Sequence, residues 1–373
     1  MGKAIIAGII IVLIFIGIAI FAFSPKQQVS VKEIKIGATL PLTGDVAGIG
    51  ESIRKGIELA AEEINNKGGI NGKQIKIIFE DDRCDGKVSV DTVTKLINID
   101  RVSAIIGPVC SAAFLPAAPI AEQNKVILFT GSATNAKITT AGDYIFRDVP
   151  SDAFQGKFQA EFVFNTLKKT KVSVGFGNDE YSVGLKETFI SRFKELGGTV
   201  LTEEANERGA TDMRAQLTKI KNTNPEIIYY VGLPADVGNF IKQARELGIT
   251  MLMLTPETTD DPQVVEIAQE ATQNVIYTLP KQSTSEEFKT NYKARFGEDP
   301  LIFTDNFYDV VKMIAAAMDI CDEDTNCIKT ELYKVKNYNG ASGIITIDSN
   351  GDLASAEYQL KTFINKTAVP YRD

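Results

Sequence analysis

Hydrophobic residues alternate between two spacings along the chain after residue 30. Short runs rich in Ile, Val and Phe are separated by longer stretches in which apolar residues recur every three or four positions. The short runs predict β-strands, and the longer stretches predict amphipathic helices with one buried face. This alternation is typical of βα units, so the pattern predicts an α/β fold built on parallel sheets.

The predicted strands share β-branched and aromatic residues, and polar or glycine-containing segments flank most of them. They cover residues 34–38, 75–80, 103–107, 126–130, 172–177, 227–231, 251–255 and 275–279. The apolar stripes of the predicted helices are Ile53, Ile57, Ala60, Ala61 and Ile64, then Val93, Leu96 and Ile97, then Phe154, Phe158, Phe162 and Leu167. We interpret each stripe as core packing, because both faces of a parallel sheet must be covered.

The length of the chain, 373 residues, predicts more than one domain, since an average domain has roughly 100–200 residues. The repeat is interrupted at 143–152, where we expect the chain to cross between two lobes, and a second crossing is expected near 279–281. No Pro-rich linker or low-complexity tract separates the halves. The two lobes are therefore expected to be closely connected.

The N-terminal region predicts a membrane element. Residues 4–23 are all Ala, Gly, Ile, Val, Leu or Phe, and 20 such residues in a helix span about 30 Å of hydrocarbon. A cleaved signal peptide has an apolar region of only about 7–15 residues, and Pro25 follows the one small-residue site at Ser24. We therefore expect an uncleaved membrane anchor, with a cleaved signal peptide as the alternative.

Composition removes several classes of function. The chain has 40 Lys and Arg against 48 Asp and Glu, a net charge of −8, so nucleic acid is not an expected partner. It has no histidine, which excludes Ser-His-Asp and Cys-His catalysis and the HExxH zinc site. No nucleophile–base pair or nucleotide-binding motif is present, so we expect no enzyme, catalytic residue, metal or cofactor.

Four cysteines, at positions 84, 110, 321 and 327, form an even set without a CxxC pair. Disulfides are the favoured interpretation, and they imply an oxidising compartment outside the cytoplasm. Pairing Cys84 with Cys110 would join two strand ends, and pairing Cys321 with Cys327 would close a short acidic loop. Four unconnected buried thiols are the alternative.

Polar residues follow two neighbouring predicted strands of the first half. Ser111 follows the strand 103–107, and Ser132 and Thr134 follow the strand 126–130. Ligands of open α/β sheets bind at such strand ends, where helix N-termini offer N–H groups to an anion. These hydroxyls are therefore candidates for holding a carboxylate, although ordinary N-caps are the alternative.

Two further candidates lie in the second half of the chain. Tyr181 follows the strand 172–177, and Glu257 follows the strand 251–255. A carboxylate that faces an anion site across a cleft suits a zwitterion, with Glu257 binding the ammonium group. These residues predict an α-amino acid as the ligand.

Four segments together resemble the periplasmic leucine/isoleucine/valine-binding protein family of amino-acid ABC importers. They read IGATLPLTG at 36–44, AAEEINNKGGING at 60–72, EDDRCD at 80–85 and GPVCS at 107–111. The resemblance extends over essentially everything after the anchor. It implies a type I periplasmic binding fold, in which two Rossmann-like lobes joined by three hinge crossings close on a ligand.

The domain boundaries expected from the resemblance are as follows. The anchor and linker occupy 1–30, the first lobe 31–148 plus about 281–345, and the second lobe 149–280 plus about 346–370. The family's disulfide matches Cys84 with Cys110.

The resemblance also implies roles for individual residues. Ser111 matches the family's carboxylate-binding serine, and the loop of Ser132, Ala133 and Thr134 matches its backbone and hydroxyl contacts. Tyr181 and Glu257 match its ammonium contacts. The side-chain pocket departs from the family, because Ile49 and Leu233-Pro234 stand where leucine-binding relatives tend to carry aromatic residues.

The function implied is that of an extracytoplasmic binding protein that passes an aliphatic, branched-chain amino acid to ABC permease subunits in the membrane. We expect a monomer, held at the cell membrane by its N-terminal helix. Two alternatives remain open at this point: a binding protein for an amide, urea or aromatic acid, and the ligand-sensing ectodomain of a receptor.

Overall fold

The computed structural model of the protein describes Gly2 and residues 33–281 and 284–372. The predicted membrane helix at 4–23 lies outside the described residues. Within the described part of the chain, no helix is both long enough and apolar enough to cross a membrane.

The elements alternate between strands and helices along most of the chain. The strands are β1 (Glu33–Leu40), β2 (Gln74–Asp81), β3 (Ala104–Ile106), β4 (Ile127–Thr130), β5 (Ile145–Arg147), β6 (Lys171–Gly177), β7 (Thr199–Asn206), β8 (Ile227–Val231), β9 (Met253–Thr255), β10 (Val275–Pro280), β11 (Tyr338–Asn339), β12 (Ile344–Ile345), β13 (Tyr358–Ile364) and β14 (Thr367–Pro370). The α-helices are α1 (Ala47–Asn66), α2 (Gly86–Lys95), α3 (Ser111–Gln123), α4 (Asp152–Glu161), α5 (Glu180–Glu195), α6 (Arg214–Asn222), α7 (Pro234–Glu246), α8 (Pro262–Ala268), α9 (Glu286–Phe296), α10 (Thr304–Cys321) and α11 (Thr325–Tyr333). Helices α2 and α4 each continue into a π-helical turn, Leu96–Asp100 and Phe162–Thr166.

The first lobe is built on a five-stranded sheet in the order β2-β1-β3-β4-β5, and all its pairs are parallel. Successive side chains of a strand point to opposite faces. Ile106 of β3 therefore packs in the core under α1 and α10, whereas Ile105 packs on the other face with Phe114 of α3. Both faces are covered, which explains why these strands read as nearly continuous apolar runs.

The second lobe is built on a seven-stranded sheet in the order β14-β13-β10-β9-β8-β6-β7. Its central pairs are parallel, and β13 and β14 add an antiparallel edge. Tyr230 of β8 packs on one face with Phe240 of α7, and Tyr229 packs on the other with Phe189 of α5. This sheet is also enclosed on both faces.

The chain passes between the two sheets three times. It crosses from β5 to α4, returns between β10 and α9, and crosses again between β12 and β13. Ile347 and Leu353 still pack in the core of the first lobe. The last crossing therefore lies after Leu353.

The structure contains a strand at each of the eight predicted positions and adds six that were not expected, β5, β7, β11, β12, β13 and β14. The predicted stripe of α4 is wrong at Phe154, which is 43% exposed. The helix instead buries the polar side chains of Gln155 and Gln159. The buried face carries hydrogen-bonding groups, and a stripe chosen by hydrophobicity misses it.

Candidate ligand-binding site

A cavity lies between the two lobes at the carboxyl ends of their parallel strands. Its volume is about 60 Å³, whereas one water molecule needs roughly 10–15 Å³. The cavity therefore has room for a ligand of several heavy atoms. Its first-lobe lining is Val46, Ile49, Cys84, Val109, Cys110, Ser111, Ala112, Ser132 and Phe303, and its second-lobe lining is Asp179, Tyr181, Arg208, Leu233, Pro234, Glu257 and Thr258.

Ser111 is the first residue of α3, so it stands where a helix has N–H groups without an intrahelical partner. Its hydroxyl oxygen accepts a hydrogen bond from the Asn135 backbone N–H at 3.2 Å, and the side chain is buried. That bond leaves the hydroxyl proton available to an acceptor in the cavity. The position combines a hydroxyl donor with the positive end of a helix, which suits a carboxylate.

The loop after β4 brings only part of its predicted set to the cavity. Ser132 lines the cavity, and its hydroxyl donates to the Val109 carbonyl at 2.7 Å. Ala133 and Thr134 lie behind it, buried, and are not among the lining residues. This loop thus brings one hydroxyl oxygen to the cavity lining, and Val109 takes its proton.

Glu257 is the central polar group of the second lobe. It begins a 3₁₀ turn directly after β9 and is 2% exposed. The Tyr181 hydroxyl donates to its Oε1 at 2.8 Å, and the Gln155 amide donates to its Oε2 at 2.5 Å. Gln155 is itself held by Thr278, whose hydroxyl oxygen lies 2.9 Å from the amide nitrogen. The carboxylate is therefore fixed from two sides and faces the cavity with its orientation set.

Burial governs the titration of this cluster. It raises the pKa of Glu257, and the hydrogen bonds from Gln155 and Tyr181 offset part of that rise. Burial and the charge of Glu257 raise the pKa of the neighbouring Asp152 well above its ordinary value. Of the two carboxyl groups, Glu257 is the one that two side-chain donors stabilise in its charged form.

The rest of the lining is apolar. Ile49 lies in the first turn of α1, Leu233 precedes α7, and Pro234 is its first residue. Phe303 adds an aromatic face from the residue before α10. A disulfide between Cys84 and Cys110, with Cα atoms 5.4 Å apart, completes the wall. These groups suit an apolar side chain.

The second disulfide joins Cys321 and Cys327 and lies away from the cavity. It connects the end of α10 to α11, and no free cysteine is present among the described residues. Both pairings suggested by the sequence are thus present, and the alternative of four free thiols is wrong.

The sequence pattern that defines the family described as "Periplasmic binding protein" matches residues 33–363. The chain belongs to this periplasmic binding protein family. Its members bind solutes outside the cytoplasm and are not enzymes. The chain is accordingly an extracytoplasmic solute-binding protein with the type I fold.

Individual members of the family match along nearly the whole chain. A leucine-, isoleucine-, valine-, threonine- and alanine-binding protein of Pseudomonas aeruginosa is 28% identical over 350 residues, which cover 92% of this chain and 93% of that protein. A crystal structure of a leucine-binding protein from Thermotoga maritima is 32% identical with a TM-score of 0.83, covering 91% of this chain and 98% of that one. A branched-chain amino acid transporter substrate-binding protein from Streptococcus pneumoniae, in complex with isoleucine, is 29% identical with a TM-score of 0.82, covering 90% and 98%.

The residues of this binding protein's site that were not predicted from its sequence include Gln155, Arg208 and Phe303. Gln155 is a buried polar residue of α4, whereas the hydrophobic spacing of that segment indicates a face of phenylalanines. Arg208 follows β7, a strand that was not predicted. Phe303 precedes α10 with a left-handed φ of 70°, and only the polar residues around it hint at a helix start. The signal available in the sequence is the pair Gln155 and Gln159, which are spaced one helical turn apart.

Proposed function

We propose that this protein binds a branched-chain or other aliphatic α-amino acid in the cavity between its lobes. Glu257 carries the proposal, because a buried carboxylate held by Tyr181 and Gln155 needs a cationic partner to offset its desolvation. An α-ammonium group supplies that partner. The Ser111 hydroxyl and the N-terminus of α3 on the first lobe then receive the carboxylate.

The proposed side-chain class follows from the apolar lining. Ile49, Leu233, Pro234 and Phe303 provide contacts to hydrocarbon and offer no hydrogen bond to a polar side chain. Relatives that match most of the chain are named for binding leucine, isoleucine and valine. We infer the same ligand class here, with a pocket shaped by aliphatic residues and one phenylalanine.

The wider role that we propose is delivery of this amino acid to the permease of an ABC importer. The N-terminal residues 4–23 would hold the protein, as a monomer, at the membrane by an uncleaved helix. The lobes would divide as expected from the resemblance, 31–148 plus about 281–345 and 149–280 plus about 346–370. The packing of Ile347 and Leu353 in the first core favours moving that last boundary to about 354.

The decisive test removes one half of the zwitterion at a time. Calorimetry would compare leucine with 4-methylpentanoate, which lacks the ammonium group, and with 3-methylbutylamine, which lacks the carboxylate. The wild type is expected to bind leucine and to lose about 2–5 kcal/mol with either analogue, because each leaves a buried charge without its partner.

Glu257→Ala and Glu257→Gln complete the test. If Glu257 binds the ammonium group, both variants lose affinity for leucine and discriminate far less between leucine and 4-methylpentanoate. The exposed glutamate Glu266, on α8 of the same lobe, supplies the control variant Glu266→Ala, which should bind leucine as the wild type does. Unchanged discrimination in Glu257→Gln would contradict the assignment.

A further inference from the structure

Arg208 connects the two lobes at the edge of the cavity. It lies on the second lobe, and its Nη2 and Nε donate to the two carboxylate oxygens of Asp45 on the first lobe at 2.7 and 3.0 Å. Its Nη1 donates to the backbone carbonyl of Cys84, also on the first lobe, at 2.7 Å. One guanidinium therefore makes three charged hydrogen bonds across the cleft, two of them in the bidentate geometry that favours arginine.

The first-lobe acceptors are held firmly in place. Asp45 lies in the loop between β1 and α1, and Cys84 in the loop between β2 and α2. Asp81 joins the two loops, because its carboxylate accepts the backbone N–H groups of Leu42 and Arg83 at 2.9 and 3.0 Å. Cys84 is fixed further by its disulfide. The two acceptors thus form one rigid surface.

The loop that carries Arg208 is anchored just as well on the second lobe. The next residue, Gly209, donates its N–H to the buried carboxylate of Asp236 at 2.9 Å. Asn206 accepts a hydrogen bond from the Tyr230 hydroxyl at 3.0 Å through its side chain and one from the Asn178 N–H at 2.8 Å through its carbonyl. Because both sides are rigid, separating the lobes must break the Arg208 contacts.

Arg208 also divides the cavity from the outside. Together with Cys84, Ala112 and Asp179 it lines both the ligand cavity and an outer groove between the lobes. On the lobe interface, the Asn135 side-chain amide donates to the Glu180 carbonyl at 2.6 Å and adds a second contact between the lobes. The guanidinium is thus part of the partition that separates a bound ligand from solvent.

We propose that Arg208 is a positioning residue that latches the closed cleft: it holds the lobes together through Asp45 and Cys84 and seals the cavity at their edge. The inference rests on the proposed function, since it concerns how long the amino acid stays bound. The arginine acts on ligand release and contacts the first lobe only when the lobes are closed. Its expected signature is a faster dissociation rate with little change in the association rate.

The test measures dissociation and association of leucine by stopped flow on the complete chain. Arg208→Ala and Asp45→Ala are each expected to raise the dissociation rate about tenfold, because the charged hydrogen bonds are strong but partly exposed. The double variant should dissociate about as fast as Arg208→Ala, since that substitution already removes every contact that Asp45→Ala removes. Additive effects of the two variants, or no effect, would overturn the proposal.

Arg192→Ala is the matched control. Arg192 is also partly exposed and ion-paired, with its Nη2 2.7 Å from Glu161, but both residues belong to the second lobe. The dissociation rate of this variant should equal that of the wild type. Salt gives an independent readout: raising it from about 0.05 to about 0.5 M should speed release from the wild type and change release from Arg208→Ala much less. Equal salt dependence in these two proteins would contradict a latch.

Failure of the proposed function can be distinguished from failure of the latch. If the wild type bound none of the twenty amino acids, the assignment of an α-amino acid as the ligand would be wrong. Small-angle scattering of the ligand-free proteins would then test the latch directly, with a larger radius of gyration expected for Arg208→Ala than for the wild type and Arg192→Ala. Identical radii for all three proteins would overturn the latch.

Discussion

The polar and the apolar parts of the cavity lining are held in place by different means. Glu257 is fixed by hydrogen bonds from Tyr181 and Gln155, which belong to two separate helices of the same lobe. Ile49 and Leu233, by contrast, are placed by the ends of helices and pack only through apolar contact. The polar part therefore has one geometry that satisfies its groups, whereas the apolar part can change shape by substitution at modest cost.

The largest expected effect comes from the polar part. Glu257→Ala should weaken binding of leucine by about 2–5 kcal/mol, because the ammonium group would be buried without its partner. Calorimetry measures the loss. Since the variant also leaves Gln155 and Tyr181 without an acceptor, Glu257→Gln and a thermal melt show whether the fold is intact. Wild-type affinity for leucine in a folded variant would show that Glu257 does not bind the ammonium group.

A smaller loss is expected on the first lobe. Ser111→Ala removes the donor proposed for the ligand carboxylate and the acceptor of the Asn135 N–H, which should cost about 1–3 kcal/mol of binding free energy. Ser89→Ala is the matched control, because Ser89 is equally buried but lies on α2 away from the cavity. If the two variants had equal affinity for leucine, Ser111 would have no role in binding.

Acid should weaken binding through Glu257. Burial raises its pKa in the ligand-free protein, and only the ionised carboxylate attracts an ammonium group. As the pH falls through this raised pKa, affinity should drop by up to about tenfold per pH unit, starting at a higher pH than an ordinary glutamate would give. A titration series from pH 8 to pH 4 checks this, and Glu257→Gln should be flat. A parallel decline in that variant would show that another group is responsible.

The smallest effects belong to the apolar part. Leu233→Ala removes aliphatic surface from the wall and should cost about 1 kcal/mol for leucine. It should improve the relative affinity for a larger apolar ligand such as phenylalanine. Competition measurements with leucine, methionine and phenylalanine would detect the change in ranking. A loss as large as that of Glu257→Ala would mean that the two parts of the lining are not held differently.

The local sequence pattern was sufficient to predict the βα architecture and the site residues that directly follow strands. The reason is that strand ends and helix starts are determined by residues within a few positions of one another. Ser111, Tyr181 and Glu257 all line the cavity for this reason. Gln155 and Arg208 were missed because their roles depend on partners far along the chain, Glu257 and Asp45. A pair of glutamines one helical turn apart is visible in a sequence, but neither their burial nor the groups that they bind are visible there.

The edge strands show the same limit. β13 and β14 pair antiparallel at the edge of the second sheet, and most of their side chains are at least partly exposed. They therefore lack the continuous apolar run that marked β8 and β10. The short strand β5 was not predicted either, although it is fully buried, because three residues are too few to show a periodicity.

Calorimetric titration of the refolded, oxidised protein with each of the twenty amino acids tests the central claim most directly, with urea, acetamide and benzoate as controls. Unfolding and refolding first removes any ligand carried through purification. We expect saturable binding of leucine, isoleucine or valine, and no binding of urea, acetamide or benzoate. Binding of a control in preference to every amino acid would contradict the assignment of Glu257 and, with it, the proposed function.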